Sequence, residues 1–479
     1  MRFINGSTSI AAGLGALVLG LLAFGAAQAG PAIEFGENGG YLQFDLKGQV
    51  YVENTDFGAG RSGRTARTDM HFQRMRIAAT GMLDSTYGFK WQTCGNIGTT
   101  KSALGYSLAA QDVDWNDRDV RIIDAYGVAN FRPEFNLKVG LTKIPLTRAN
   151  LDDCFSPLTL DRSMFVYSAY GSSPAKFSRD VGVVAWGHAV QERLAYFAGA
   201  FQGREGSSST SIPVSANPKL VGVTAVSSAA PMNNLEYVAR VHVALLDPEP
   251  GSGYEGTRFG DQRTLTVGGG VAYQGAAAFK NVVNTFYFAD GTTSASPPNP
   301  SVQTPAVMKV VATPTNDESV AMTAYSADVL LEYPAAQLGV FTFNAQYLSV
   351  DFEDAYRTNT ASGDRLAVIT GINGQKSGHF LKAALLLPMT FGADGRLQPY
   401  GIYESWDFAH LLGYNDQKIT QSGGGLNYYV RQQNVRLTGE YLWTAFGIPT
   451  ELINGPKTGS ALAKVTGFAT LRLMTQVVF

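Results

Sequence analysis

Charged side chains in this 479-residue chain recur at every second position of short segments whose other residues are apolar. In an extended strand that spacing sends the charge to one face. In residues 41–52, Gln43, Asp45, Lys47 and Gln49 alternate with Leu42, Phe44, Leu46, Val50 and Val52. Read through all such segments, the polar parity carries Lys47, Arg74, Arg76, Lys90, Lys138, Arg240, Lys382, Arg436 and Arg472. Against them stand Asp45, Asp124, Asp180, Asp328, Glu332, Glu404 and Glu440 on the same parity. Fixed charges on the wall of a pore guide ions by replacing hydration and by favouring one sign, and this set leans slightly to anions. Arg74 and Arg76 project side by side, as an anion-guiding row would; the alternative is that they pair with carboxylates and satisfy the wall. The segment 144–179 is an insertion expected to reach between the walls. It begins after Lys143, and from Leu146 to Lys176 it sets Arg148, Arg162 and Lys176 against Asp152, Asp153 and Asp161, so the charges of that stretch cancel.

Thiol chemistry is the second candidate. Cys94 and Cys154 are the only cysteines. Cys94 shares the polar parity with Lys90, Gln92 and Asn96, while Cys154 lies in the inserted segment. In an oxidising compartment the pair would form a disulfide pinning that segment to the wall if their Cα atoms approach within about 4.4–6.8 Å. Catalysis has no set to work with. His71, His188, His242, His379 and His410 are scattered, and no G-x-S-x-G, H-E-x-x-H or C-x-x-C-H occurs. No enzyme, metal site or cofactor is expected.

Positioning these charges requires strands. Sixteen alternating segments are expected: 41–52, 71–83, 88–97, 120–131, 136–143, 180–187, 194–202, 235–245, 264–274, 325–333, 339–349, 379–387, 397–407, 419–430, 435–444 and 464–479. Connections between them alternate short and long, as in an antiparallel barrel with both termini at one end. The segment 246–263, with Asp247-Pro248-Glu249-Pro250, is too long for its place among the short turns. Two β-prone pieces, 281–288 and 306–312, would make eighteen strands if they joined the barrel. Lys464 to Phe479 alternates to the end and stops on an aromatic, as barrel proteins of outer membranes do. In such a barrel the apolar parity faces lipid, because charge at mid-bilayer costs ~2–4 kcal/mol, and the polar parity lines the lumen.

The composition agrees. Fifty-three Gly, 22 Tyr, 27 Phe and 5 Trp accompany only 16% charged residues, and the mean hydropathy is -0.03, so the chain is neither disordered nor built of apolar helices. With 37 basic against 39 acidic residues there is no basic field, which excludes nucleic acid as a partner. Arg2, an apolar run from Ile10 to Phe24 and Ala27-Gln28-Ala29 read as a signal peptide over residues 1–29. A short segment, 30–40, and a barrel, 41–479, complete the expected organisation.

Val139-Gly140-Leu141-Thr142-Lys143-Ile144-Pro145-Leu146 resembles the G-x-x-K-x-P-F stretch that leads from a strand into the constriction loop of the phosphate-selective porin O and P family. Arg179-Asp180-Val181-Gly182 and Ala198-Gly199-Ala200-Phe201-Gln202-Gly203 are similar to strand motifs that follow in that family. The resemblance implies a trimeric, sixteen-stranded, all-β porin of the Gram-negative outer membrane with its third loop folded inward. The inserted loop has no lysine cluster, so phosphate selectivity does not follow. The expected function is passive diffusion of small hydrophilic solutes or ions with a weak anion lean. The alternative is a barrel within an electron-transfer or adhesion assembly that has no free pore. Outer-membrane lipid and two further copies of the chain are the expected partners. Small outward residues on the first and last strands, Gly48, Gly467 and Ala469, are the expected subunit contact.

Overall fold

A computed structural model describes residues 30–36, 38–56, 67–98, 120–163, 166, 178–204, 206–211, 214–215, 224–232, 234–280, 282–296, 298–299, 302, 305, 307–353, 356–358, 365–367, 376–392, 395–408, 417–452, 457–458 and 461–479. Sixteen of its strands form the barrel. These are β1 (Gly40–Thr55), β2 (Arg67–Met82), β3 (Tyr87–Gly98), β4 (Val120–Arg132), β5 (Phe135–Lys143), β6 (Arg179–Ala189), β7 (Leu194–Phe201) and β8 (Glu236–Ala244). They continue with β9 (Thr264–Phe279), β10 (Ser319–Pro334), β11 (Val340–Asp351), β12 (Lys376–Leu386), β13 (Gly395–Phe408), β14 (Gln417–Arg431), β15 (Val435–Leu452) and β16 (Val465–Val478). Each pairs antiparallel with the next, and β16 closes on β1 from Lys47↔Val478 to Thr55↔Thr470. Closure removes the open edges that lipid cannot tolerate.

The alternation works as the sequence requires. Along β8, Glu236, Val238, Arg240, His242 and Ala244 are buried, while Tyr237, Ala239, Val241 and Val243 face out. The signal segment 1–29 lies outside the described residues. In the short N-terminal segment, Ala32–Phe35 pairs with the start of β1, where Ala32 lies opposite Gln43. Phe479 exchanges backbone hydrogen bonds with Leu46 (3.1 and 2.8 Å), and the Phe44 N–H donates to the Pro31 carbonyl at 3.3 Å. Residues 31–35 and Phe479 thus lie end to end beside β1.

The eighteen-strand alternative is corrected. Val282–Phe288 and Val307–Pro314 do pair with each other, but in a separate sheet with Gly206–Ser211 and Thr224–Ala230. β9 is hydrogen-bonded directly to β10, from Thr264↔Glu332 to Phe279↔Ser319, so no barrel edge is left for a further hairpin.

Residues 144–163 turn into the lumen, starting with a one-turn helix, α1 (Arg148–Leu151), whose N-cap Thr147 side chain accepts from the Asn150 N–H. Glycine makes the room for this entry. Gly140, at φ +130, lies so close to β4 that a Cβ would sit 2.4 Å from the Ala125 carbonyl oxygen, a position only glycine fills without strain. On the far wall a Cβ at Gly270 would sit 2.2 Å from the Leu146 carbonyl oxygen. Gly270→Ala is therefore expected to lift the loop off β9 at a cost of about 1–3 kcal/mol, read as a lower denaturant midpoint in lipid vesicles. Apolar loop residues, among them Ile144, Leu146, Ala149, Leu151 and Val166, join one buried cluster with Phe197, Phe201, Met322, Leu348 and Trp406 from the wall. Part of the lumen is thus filled like a protein core.

Candidate functional site

Two segments enter the lumen from opposite ends. The first, 144–163, is tied along its length to the inner wall. The Ser326 hydroxyl donates to the Leu146 carbonyl at 2.6 Å, and the Ala149 N–H donates to Gln346 at 2.9 Å. Further along, Gln476 donates to the Phe155 carbonyl (2.7 Å), Arg436 to Pro157 (2.8 Å) and Asn427 to Leu158 (2.9 Å). Lys382 donates to the Thr159 hydroxyl at 2.9 Å and Gln49 to the Cys154 carbonyl at 3.2 Å. Ion pairs complete the attachment: Arg74 to Asp161 at 2.9 Å, Lys47 to Asp153 at 3.0 Å and Arg76 to Asp153 at 3.8 Å.

The second segment is the long connection between β8 and β9. Its stem closes as an ordinary hairpin, with the Leu245 N–H donating to Leu265 (2.7 Å) and the Asp247 N–H to Arg263 (2.9 Å). Pro248–Gln262 then folds back into the barrel. Arg148 of α1 donates to both oxygens of Glu249, at 2.8 and 2.5 Å, with both side chains almost fully enclosed. The Arg148 guanidinium also stacks 4.3 Å from the Tyr254 ring centroid.

Between these segments and the wall from β1 to β6 remains a cavity of about 520 Å³. Of the expected site residues, Arg76, Lys90, Lys138, Lys143 and Asp153 border it. Lys47, Asp124 and Arg179 join them, with Arg179 Nε donating to Asp124 at 2.8 Å. Three lysines here have no carboxylate partner among the described residues. Lys138 donates to the Ser252 hydroxyl at 2.6 Å and lies near the Tyr126 and Trp186 rings, and Lys143 donates to the Leu151 and Asp152 carbonyls. Lys90 makes no ion pair among the described residues.

The other expected pore residues lie elsewhere. Arg74 and Asp161 are bound to each other where the loop meets the wall. Arg148 and Asp152 sit at the junction of the two inward segments, and Arg162 is buried in the loop. Arg240 is enclosed with Asp328 at 2.7 Å. These side chains do not border the cavity, because the inserted segments cover them. Lys176 lies outside the described residues. No disulfide joins Cys94 and Cys154 in the structure, and both are buried. Cys94 packs with Ile123, whereas Gln49 holds the Cys154 backbone to β1. Glu249, Tyr254, Glu255 and Arg258 escaped the sequence reading; the excess length of their connection was the signal that pointed to them.

Burial works against charge on the loop carboxyls, yet partners hold them ionised. Lys47 and then Arg76 hold Asp153 well below the usual carboxylate range, and Arg74 lowers Asp161. Arg148 holds Glu249 down to about 2 despite its burial. Asp152, where burial wins, is shifted up. A lowered carboxyl pKa stabilises the folded state above the unfolded value of about 4, and that contribution is lost as pH falls toward the folded value. The loop attachments are therefore expected to be constant from pH 7 to about 4 and to fail toward pH 2. Conductance recorded across that range should be steady above the transition and unsteady below it.

Residues 44–234 match the sequence profile of the family described as phosphate-selective porin O and P. No curated protein matches the chain in sequence. Among solved structures it is similar to OmpT, an outer membrane protein of Vibrio cholerae in its trimer form, at 10% identity and a TM-score of 0.45 over 92% of this chain and 99% of that one. It is also similar to an anion-selective porin from Comamonas acidovorans, at 8% identity and a TM-score of 0.47 over 92% and 100%. A third is the outer membrane channel DcaP of Acinetobacter baumannii, at 11% identity and a TM-score of 0.46 over 94% and 100%. The profile match falls on the strands and inward loop that carried the motif resemblance, and the remaining strands complete the same closed sixteen-stranded barrel. Residues 44–234 thus match the phosphate-selective porin O and P family, and the described strands close as a porin-type β-barrel of the outer membrane.

Proposed function

We propose that the protein conducts small hydrophilic solutes and ions passively, with a lean toward anions, through the cavity beside β1–β6. The observation that carries the lean is the set of three lysines, Lys90, Lys138 and Lys143, facing that cavity with no carboxylate partner among the described residues. Most other lumen cations are paired with carboxylates, so they contribute wall rather than field. Zero net charge from Leu146 to Lys176 supports weak rather than strong selectivity. The porin family and fold point to a channel rather than an enzyme.

Lys138→Glu with Lys143→Glu should move the reversal potential in asymmetric salt several-fold toward cations in permeability ratio. An unchanged potential in a conducting variant would take these lysines out of the pathway.

The functional unit in this reading is a homotrimer. The family resemblance supports it, as does Gly48, where an added Cβ would meet nothing within 4 Å, between exposed Leu46 and its neighbours on β1. Gly467 and Ala469 offer no such opening. Gly467 is crowded by the Thr444 carbonyl, and Ala469 is buried. Mass measurement in mild detergent tests the trimer, and a monomer alone would contradict it.

A further inference from the structure

We infer that Pro248–Gln262, entering from the turn side, is a second constriction element that narrows the passage together with the inward loop. The inference rests on the channel reading above. The connection needs no such length. Asp247 and Arg263 already face each other in the ladder, held by the Arg263 N–H donating to the Asp247 carboxylate at 2.9 Å. A two-residue hairpin turn joins strands in that register. The remaining residues are instead fixed inside the barrel.

On its inner side the segment adds backbone pairing to the loop. The Asp153 N–H donates to the Tyr254 carbonyl (3.3 Å) and the Gly256 N–H to the Ser156 carbonyl (2.8 Å). Farther along, Glu332 of β10 accepts from the N–H groups of Arg258 (3.0 Å) and Gly260 (2.9 Å). With the enclosed Arg148–Glu249 pair, these bonds make the segment a fixed part of the lumen and not a hanging flap.

Its other side fronts the cavity, opposite the unmatched lysines. The Ser252 hydroxyl accepts from Lys138, and Glu255, 52% exposed there, pairs within the segment with Arg258 at 3.9 Å. What the segment adds to the passage is therefore bulk, which sets part of the width. Removing that bulk should widen the passage.

The test compares single-channel conductance of the parent chain with two variants in planar bilayers. In the first, Pro248–Gln262 is replaced by Asn-Gly, and conductance is expected to rise roughly two-fold as the lumen opens. In the second, Ser252→Cys is treated with a negatively charged methanethiosulfonate reagent, the parent with its two buried cysteines serving as control. Labelling confirmed by mass is expected to lower the conductance step. Labelled Ser252→Cys with an unchanged step overturns the inference, as does an excised variant that folds and conducts like the parent. If excision prevents folding, the Ser252→Cys result decides alone. A parent that folds and never conducts defeats the channel reading itself, which separates the two failures.

Discussion

Arg74→Glu combined with Arg76→Glu is expected to detach the inward loop from β2 and to cost stability before it changes selectivity. Arg74 is 1% exposed and bonded to Asp161, itself only 12% exposed, and it also donates to Gln49 at 3.0 Å. Reversal sets a carboxylate against a carboxylate where solvent cannot screen them. Breaking a buried pair from one side costs about 3–5 kcal/mol, because the remaining charge is left uncompensated. Arg76 adds less, since its partner Asp153 lies 3.8 Å away, is 39% exposed and keeps Lys47. Arg76 also lies over the Phe155 ring at 5.4 Å, so its loss loosens packing at the same point of the loop. The denaturant midpoint in lipid vesicles should fall, and channels that do form should be noisy. Exchanging the pair as Arg74→Asp with Asp161→Arg should recover much of the loss. Full stability together with a clean shift toward cations would instead make these two arginines open wall charges.

The second large effect is expected at Arg240. Its guanidinium and the Asp328 carboxylate are both fully enclosed, and it also donates to the Tyr254 hydroxyl at 3.3 Å. Gly268 on the intervening strand gives it space, since a Cβ there would meet the guanidinium at 2.7 Å. Arg240→Met strands Asp328 in a dry site and should cost about 3–5 kcal/mol. Arg240→Met with Asp328→Leu removes both charges and should restore most of that stability, because a buried pair and a packed apolar pair are close in free energy. Equal destabilisation of the single and double variants would mean that the cost lies in shape, not charge.

These expectations differ from a reading by parity, and the reason is physical. Alternation reports which face of a strand avoids lipid, and on β8 it does so residue by residue. All sixteen strands were legible for that reason, as was the inward loop after Lys143. Alternation does not report whether the inner face is wet. Arg240, Arg436 and Glu440 share the parity of Lys138, yet they are covered by segments whose path depends on contacts far apart in sequence. The Arg148–Glu249 pair spans 101 residues, and nothing local in the chain announces it. The long connection between β8 and β9 stood out by length alone. The cysteines show the same limit: parity put Cys94 inside, but the direction in which Gln49 and Gln476 pull the loop is a tertiary property.

The central claim, an open passage with unmatched lysines, is tested most directly by single-channel recording of the purified, folded chain in asymmetric potassium chloride. Discrete, ohmic steps and a reversal potential displaced modestly toward that of chloride are the predicted result. Folded protein that gives no steps, or steps whose reversal potential lies toward potassium, would contradict it.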